Sequence, residues 1–322
     1  MRNTFTDWFG LTAPILQAPI AGNDTPRLAA EVARGGGLGS LALTWDEREA
    51  GVARVAELDR EGTPYFLNFV LRFGTESLRW YADCGAPAMT LSWGIDAEAI
   101  AFLHGKGTRV GVQVGTARGA AMAIAAGADF VIAQGNEAGG HVQSTTPLRA
   151  LLPAVLAVSG DVPVVATGGI ASAPGIAWAI AAGAQAVMLG TRFVASTEST
   201  AHPLYKQALI AAKPDDTIYT NCFDVGWPFA MHRVLRNSTL DAWEAAGCPA
   251  APARPGEGDI VMQSPTGGLV RYHNDQPKEE SEGDILAGCL YAGTGVEAIT
   301  SVRPAAEIVS SLWAEARGLL KE

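Results

Sequence analysis

Residues 133–141 read AQGNEAGGH: a carboxylate at Glu137, adjacent glycines at Gly139 and Gly140, and an imidazole at His141, all directly behind an apolar run. An imidazole titrates near neutrality, so His141 can act as a base or, protonated, as the partner of an anion. The two glycines before it clear side chains from a stretch where a planar ring system would approach the backbone. Glu137 can orient this loop or the ring, or stand as a solvated carboxylate. The other histidines carry less. His104 in FLHGKG marks a helix end, where a cation complements the dipole. His202 and His273 are flanked by proline or polar loop residues, and His232 follows a GWPF turn from which it could reach a substrate. No two histidines have the i, i+4 spacing of a zinc helix and no Asp-rich calcium loop is present, so no metal is expected. The GxSxG elbow of a serine hydrolase is also absent.

The elements that must position His141 form a rhythm. Eight short β-type runs (14–20, 37–43, 64–70, 87–93, 109–115, 129–135, 162–169 and 186–192) alternate with Ala-rich segments of helical length. Most runs show little polar alternation, the mark of parallel strands covered on both faces. AIAAGADFVIAQG (123–135) and AIAAGAQAVMLGT (179–191) repeat one unit: a helix end, a glycine cap and a buried strand ending in glycine. Such a series predicts an α/β fold, a (β/α)8 TIM barrel, with a doubly wound sheet as the alternative. The glycines favour the barrel, because RGGGLGS (34–40) precedes the second run instead of opening a helix after the first, and so reads as a helix cap.

In a barrel the active face lies at the C-terminal strand ends, and the loops after the last two strands commonly hold a phosphate on backbone N–H groups. Asn68, Gln113, Gln134, Gly168, Gly169, Gly190 and Thr191 all sit at such ends. Residues 1–205 and 293–322 are assigned to the barrel. Residues 206–292 break the rhythm and are read as an inserted, smaller, mostly helical lid domain. The closing helix places Ala305, Ile308, Val309, Leu312, Ala316 and Leu319 on one face.

Composition narrows the partners. The chain has 322 residues, 48% of them hydrophobic, and can bury a large core. Its formal charge of −10 repels nucleic acid and anionic membranes alike. Four cysteines without CxxC spacing and an N-terminus without an apolar leader point to a reducing cytoplasm. The most apolar region, 162–191, is cut by prolines and glycines, so no membrane span is expected. Oligomeric state is left open, a homodimer being one option.

PILQAPIAG, the asparagine of FLNFV, VGVQVG, AQGNEAGGH, ATGGIA, LGTRF and YAGTG stand in an order that resembles the nitronate monooxygenase (2-nitropropane dioxygenase) family over nearly the whole chain. The resemblance implies an FMN-dependent enzyme that oxidises an alkyl nitronate, or a nitroalkane, with O2 to a carbonyl compound and nitrite. It implies that Gly168, Gly169, Gly190 and Thr191 hold the FMN phosphate. Ala18, Pro19 and Ile20 would run along the isoalloxazine, and Asn68, Gln113 and Gln134 would hydrogen-bond ribityl or ring atoms. Gly139 and Gly140 would flank the flavin, with His141 as the catalytic residue. Ile20 departs from the methionine common at its position. Two other functions remain open on sequence grounds: an FMN-dependent NAD(P)H oxidoreductase acting on a quinone or enoyl thioester, and a flavin-binding protein without turnover.

Overall fold

A computed structural model of the chain describes residues 3–264 and 267–321. The strands are β1 (Ile15–Gln17), β2 (Gly39–Ala42), β3 (Tyr65–Val70), β4 (Ala88–Ser92), β5 (Arg109–Val114), β6 (Phe130–Gln134), the two-residue β7 (Gly140–His141), β8 (Val164–Thr167) and β9 (Ala186–Leu189). All but β7 form one parallel sheet in the order β1-β9-β8-β6-β5-β4-β3-β2. Its two edges meet: Leu38 N–H donates to Ile15 O at 3.0 Å and Gln17 N–H donates to Leu38 O at 2.9 Å, which brings the sheet close to a closed barrel. Each of the eight runs read from the sequence contains one of these strands.

The strands read as unbroken apolar runs because both faces are buried. Ile15, Leu67, Val131 and Val187 point outward into the core shared with the helices, while their neighbours Leu16, Phe66, Ile132 and Met188 point into the barrel. Phe130 needs room there. A Cβ on Gly111 of the adjacent β5 would lie 2.3 Å from its ring, so that position is glycine. The helix Thr4–Phe9, capped by the Asn3 side chain, plugs this end of the barrel with Phe5, whose ring meets Phe130 edge-on at 5.1 Å. Only the opposite, C-terminal end of the barrel is left for a ligand.

The repeated unit folds as a repeat. Helices Ala117–Ala125 and Ala173–Ala181 start on Thr116 and Ser172 side-chain caps. Each leads through a positive-φ glycine, Gly127 or Gly183, into β6 or β9. The run RGGGLGS supplies the end of helix Pro26–Arg34, capped at Gly35. The C-terminal helix Ala305–Leu319 packs against the helices Pro26–Arg34 and Ala173–Ala181. Its buried face includes Ala305, Ile308, Val309 and Ala316 as expected and Trp313 besides, while Leu319 in its last turn is exposed.

Residues 206–292 hold less helix than expected. Beside the end of helix Pro203–Ala211 and helix Ser238–Ala245 lie β10 (Thr217–Thr220), β11 (His232–Leu235), β12 (Ile260–Ser264), β13 (Gly267–Val270) and β14 (Glu282–Gly283). These form two antiparallel three-stranded sheets, β10-β11-β7 and β13-β12-β14. Strands of four or five residues are too short to show a period, which is why the sequence hid them. The first sheet joins this segment to the His141 loop. Among the described residues no helix is long and apolar enough to cross a membrane.

Candidate active site

A cavity of about 1130 Å³, counting its open mouth, occupies the C-terminal end of the barrel. Every residue the resemblance assigned to the flavin or to catalysis lines it: Ala18, Pro19 and Ile20 after β1; Asn68, Gln113 and Gln134 in β3, β5 and β6; Gly139, Gly140 and His141; Gly168 and Gly169 after β8; Gly190 and Thr191 after β9. Glu137 and His232 do not. Trp45, Trp93, Trp227, Gln276 and Tyr291 line it as well.

The glycines after β8 shape an anion cradle. Gly168 and Gly169 have φ of +115° and +69°, and a Cβ on Gly169 would stand 2.8 Å from Thr294 Oγ1 and 2.9 Å from Glu137 Cβ. Among the described residues, no protein group accepts a hydrogen bond from the N–H of Gly168, Gly169, Gly190 or Thr191. Four free backbone donors at neighbouring strand ends form the kind of nest that takes a phosphate. Gly139 and Gly140 differ from each other. A Cβ on Gly139 would meet Gly293 N at 2.5 Å, so close passage of the 292–293 backbone already demands glycine there, whereas Gly140, at φ +80°, has open space on that side.

The three strand-end amides are not equivalent. Gln134 is fully occupied within the protein: its Oε1 accepts from Gln143 N–H at 2.9 Å and its Nε2 donates to His141 O at 3.2 Å. It pins the loop that carries His141. Asn68 Nδ2 donates to Thr90 Oγ1 at 3.0 Å, which leaves its carbonyl oxygen without a protein donor. Gln113 makes no side-chain hydrogen bond among the described residues and keeps both ends for a ligand.

His141 sits in an aromatic box. Its ring lies 4.0 Å from that of Trp227, 5.5 Å from Tyr291 and 6.3 Å from Trp93, centroid to centroid. Nε2 shares a hydrogen bond of 3.0 Å with the Tyr291 hydroxyl, and Nδ1 is buried without a partner. Burial pushes the His141 pKa down to about 3, with His232 adding to the effect and the Ala230 carbonyl opposing it. The imidazole is therefore neutral at physiological pH, not the cation the sequence left open. Burial, and Cys289 beside it, hold the Tyr291 phenol protonated well above its ordinary range.

The other loop groups are structural. His232 is fully buried; Phe223 N–H donates to its Nε2 at 3.2 Å, which places the ring proton on Nδ1, donating to Ala230 O at 3.0 Å. It has no nitrogen to offer a substrate. Both Glu137 oxygens accept from Leu148 N–H, at 3.0 and 2.9 Å, and cap the helix Leu148–Ser159. His104 ends its helix as expected and meets Asp129 Oδ2 at 2.8 Å. Sequence reasoning gave Trp227 and Tyr291 no role, although GWPF and YAGTG contain them. Among the described residues no cluster of His, Cys, Asp or Glu is arranged to hold a metal.

A family model described as nitronate monooxygenase matches residues 75–315. The chain belongs to that family. It is a flavin-dependent oxidoreductase of the nitronate monooxygenase type that acts on a small molecule. A nitronate monooxygenase of Pseudomonas aeruginosa is 32% identical, the match covering 99% of this chain and 100% of that protein. Among solved structures, FabK from Thermotoga maritima superimposes with a TM-score of 0.82 at 29% identity, over 100% of this chain and 98% of that one. The nitroalkane oxidase from Streptomyces ansochromogenes does so with a TM-score of 0.80 at 29% identity, over 98% of each chain.

Proposed function

We propose that this nitronate monooxygenase homologue binds FMN and oxidises an alkyl nitronate with O2 to a carbonyl compound and nitrite. The observation that carries the reading is a neutral His141 with one unpartnered nitrogen, in the same cavity as four free backbone N–H donors. Gly168, Gly169, Gly190 and Thr191 hold the FMN phosphate on those donors. The free amide of Gln113 and the carbonyl of Asn68 meet ribityl or ring atoms, and Ala18, Pro19 and Ile20 run along the isoalloxazine. Bound FMN supplies the electron-transfer chemistry that no side chain can.

His141 faces the substrate. The hydrogen bond with Tyr291 uses Nε2, and Nδ1 is buried without a hydrogen-bond partner in the protein. A buried ring nitrogen left in that state costs about 1–3 kcal/mol, and because the protein covers Nδ1, a nitronate oxygen would reach it only with a shift of the ring. An imidazole with so low a pKa is a weak base, so removal of the α-proton from a neutral nitroalkane is the poorer use of it. The preformed nitronate is the substrate. Residues 206–292 act as the lid, supplying Trp227 and Gln276 to the cavity wall and excluding water from the reacting centre.

The test is anaerobic rapid mixing of the FMN-loaded protein with ethyl nitronate and, in parallel, with NADH. Flavin bleaching or one-electron reduction by the nitronate and not by NADH is expected. Fast reduction by NADH with none by the nitronate would move the protein to NAD(P)H-dependent reduction, and reduction by neither would leave a binding protein. His141→Ala should retain FMN and lose most turnover.

A further inference from the structure

Trp45, Trp93 and Trp227 line the cavity beside His141, and Phe73 packs against two of them. Trp45 and Phe73 stand at the surface, 50% and 44% exposed, with ring centroids 5.2 Å apart. Trp227 lies beneath them, 6.0 Å from Trp45 and 4.9 Å from Phe73, and touches Trp93 at 4.9 Å as well as His141. They come from separate parts of the chain: the loops after β2, β3 and β4, and the inserted segment.

One of them is held against backbone preference: Trp93 has φ +58° at the end of β4. Bulky side chains rarely adopt that region, and such strain concentrates where a side chain must be aimed at a ligand. Charge is missing from the same wall. Among the described residues, no lysine, arginine, aspartate or glutamate lines the cavity. A carboxylate on the substrate's tail would be desolvated against ring systems with no cation to pair with it. A flat apolar tail would instead find partners for stacked and edge-on contacts, each worth about 0.5–1.5 kcal/mol beyond the area it buries.

We propose that the substrate carries an uncharged aryl group, or an extended apolar one, next to its reacting carbon, seated against Trp93 and Trp227 with Trp45 at its outer end. This deepens the nitronate reading and rests on it: arylmethyl nitronates should be preferred over short alkyl nitronates, and nitronates bearing a carboxylate should be disfavoured.

Two measurements on the FMN-loaded enzyme test it. The first compares kcat/KM for phenylmethyl nitronate, ethyl nitronate and propionate 3-nitronate. The expected order is phenylmethyl first by at least tenfold and the carboxylated compound last, and Trp227→Ala should lower the phenylmethyl-to-ethyl ratio at least fivefold. Should Trp227→Ala not fold, Trp45→Ala at the exposed outer end should lower the ratio about threefold. The second is calorimetric binding of nitrobenzene and of 2-methyl-2-nitropropane, neither of which can form a nitronate. Nitrobenzene should bind at least tenfold more tightly, and Trp227→Ala or Trp45→Ala should erode that preference. Turnover of nitronates without aryl preference would overturn the aromatic seat and leave the nitronate reading standing. Aryl-selective binding without turnover of any nitronate would sustain the seat and overturn the reading.

Discussion

His141 and His232 face each other across adjacent antiparallel strands, Cα partner to Cα partner, yet only one of them has a ring nitrogen free of the protein. His232 spends both nitrogens on the backbone of Phe223 and Ala230 and so fixes the turn that carries Trp227. His141 spends one on Tyr291 and leaves Nδ1 without a hydrogen-bond partner. Two histidines of one local sheet thus have different tasks: one stiffens the inserted segment, and the other is held by it. The pairing also explains why the insertion matters to chemistry, since β11 fixes the strand on which His141 stands.

Tyr291→Phe should separate positioning from binding. The variant removes the hydrogen bond to His141 Nε2 and leaves the ring's bulk in place. Loss of one buried hydrogen bond, about 0.5–1.5 kcal/mol, predicts a fall in kcat of up to about tenfold. KM should change much less and FMN content should not change. Steady-state kinetics on ethyl nitronate check this, and a Tyr291→Phe enzyme with unaltered kcat would dismiss the tyrosine from the site.

Acid should destabilise the protein in a defined window. His141 and His232 have folded-state pKa values pushed down by burial to about 3 and about 4, below their ordinary 6.5. As pH falls from 6.5 toward 4, the unfolded chain takes up protons that the folded chain refuses. The stability linked to both histidines is therefore complete above pH 6.5 and drains away below it, by up to about 1.4 kcal/mol per pH unit for each. Urea midpoints at pH 7, 6 and 5 read the slope. His141→Phe should make it shallower by roughly one histidine's share, and equal slopes would contradict the neutral buried imidazole.

Glu137 should prove to be a cap and not a catalyst. The helix Leu148–Ser159 starts after Pro147 without a side-chain cap of its own, and Glu137 supplies one from a distant loop, placing negative charge at the positive end of the helix dipole. Glu137→Ala should cost about 1 kcal/mol of stability, while Glu137→Gln, which keeps an acceptor, should cost less. Thermal melts measure both. A loss of turnover as deep as that of His141→Ala, with stability intact, would return Glu137 to the chemistry.

The barrel was legible because parallel strands buried on both faces announce themselves as continuous apolar runs, and β1–β6, β8 and β9 each lie within one. The candidate site was legible in part because its polar groups cluster at the ends of those runs. What could not be read is what depends on pairs far apart in the chain. That Gln134 turns inward to tie the His141 loop, while Gln113 stays free, is decided by where residues 141–143 return. The aromatic box draws on Trp93, Trp227 and Tyr291, three positions with no common period or motif. The β10-β11-β7 sheet hid for the same reason, its strands being short and one of them lying before β8.

Two glycine substitutions should have opposite outcomes at the proposed phosphate cradle. Gly169 has φ +69°, and a Cβ there would press within 3 Å of both Thr294 and Glu137, so Gly169→Ala must shift the loop that presents its N–H. Gly190 has φ −106°, and its Cβ would rest 3.5 Å from that of Ala18, an ordinary contact. Gly190→Ala keeps its N–H where it is. Losing one charge-assisted hydrogen bond of about 1.5–3 kcal/mol predicts at least a tenfold rise in the FMN dissociation constant for Gly169→Ala. For Gly190→Ala the change should stay within about threefold, or less than about 0.7 kcal/mol. Fluorescence titration of the apoprotein with FMN measures both. If Gly169→Ala binds as tightly as the parent, the backbone after β8 is not where the phosphate sits.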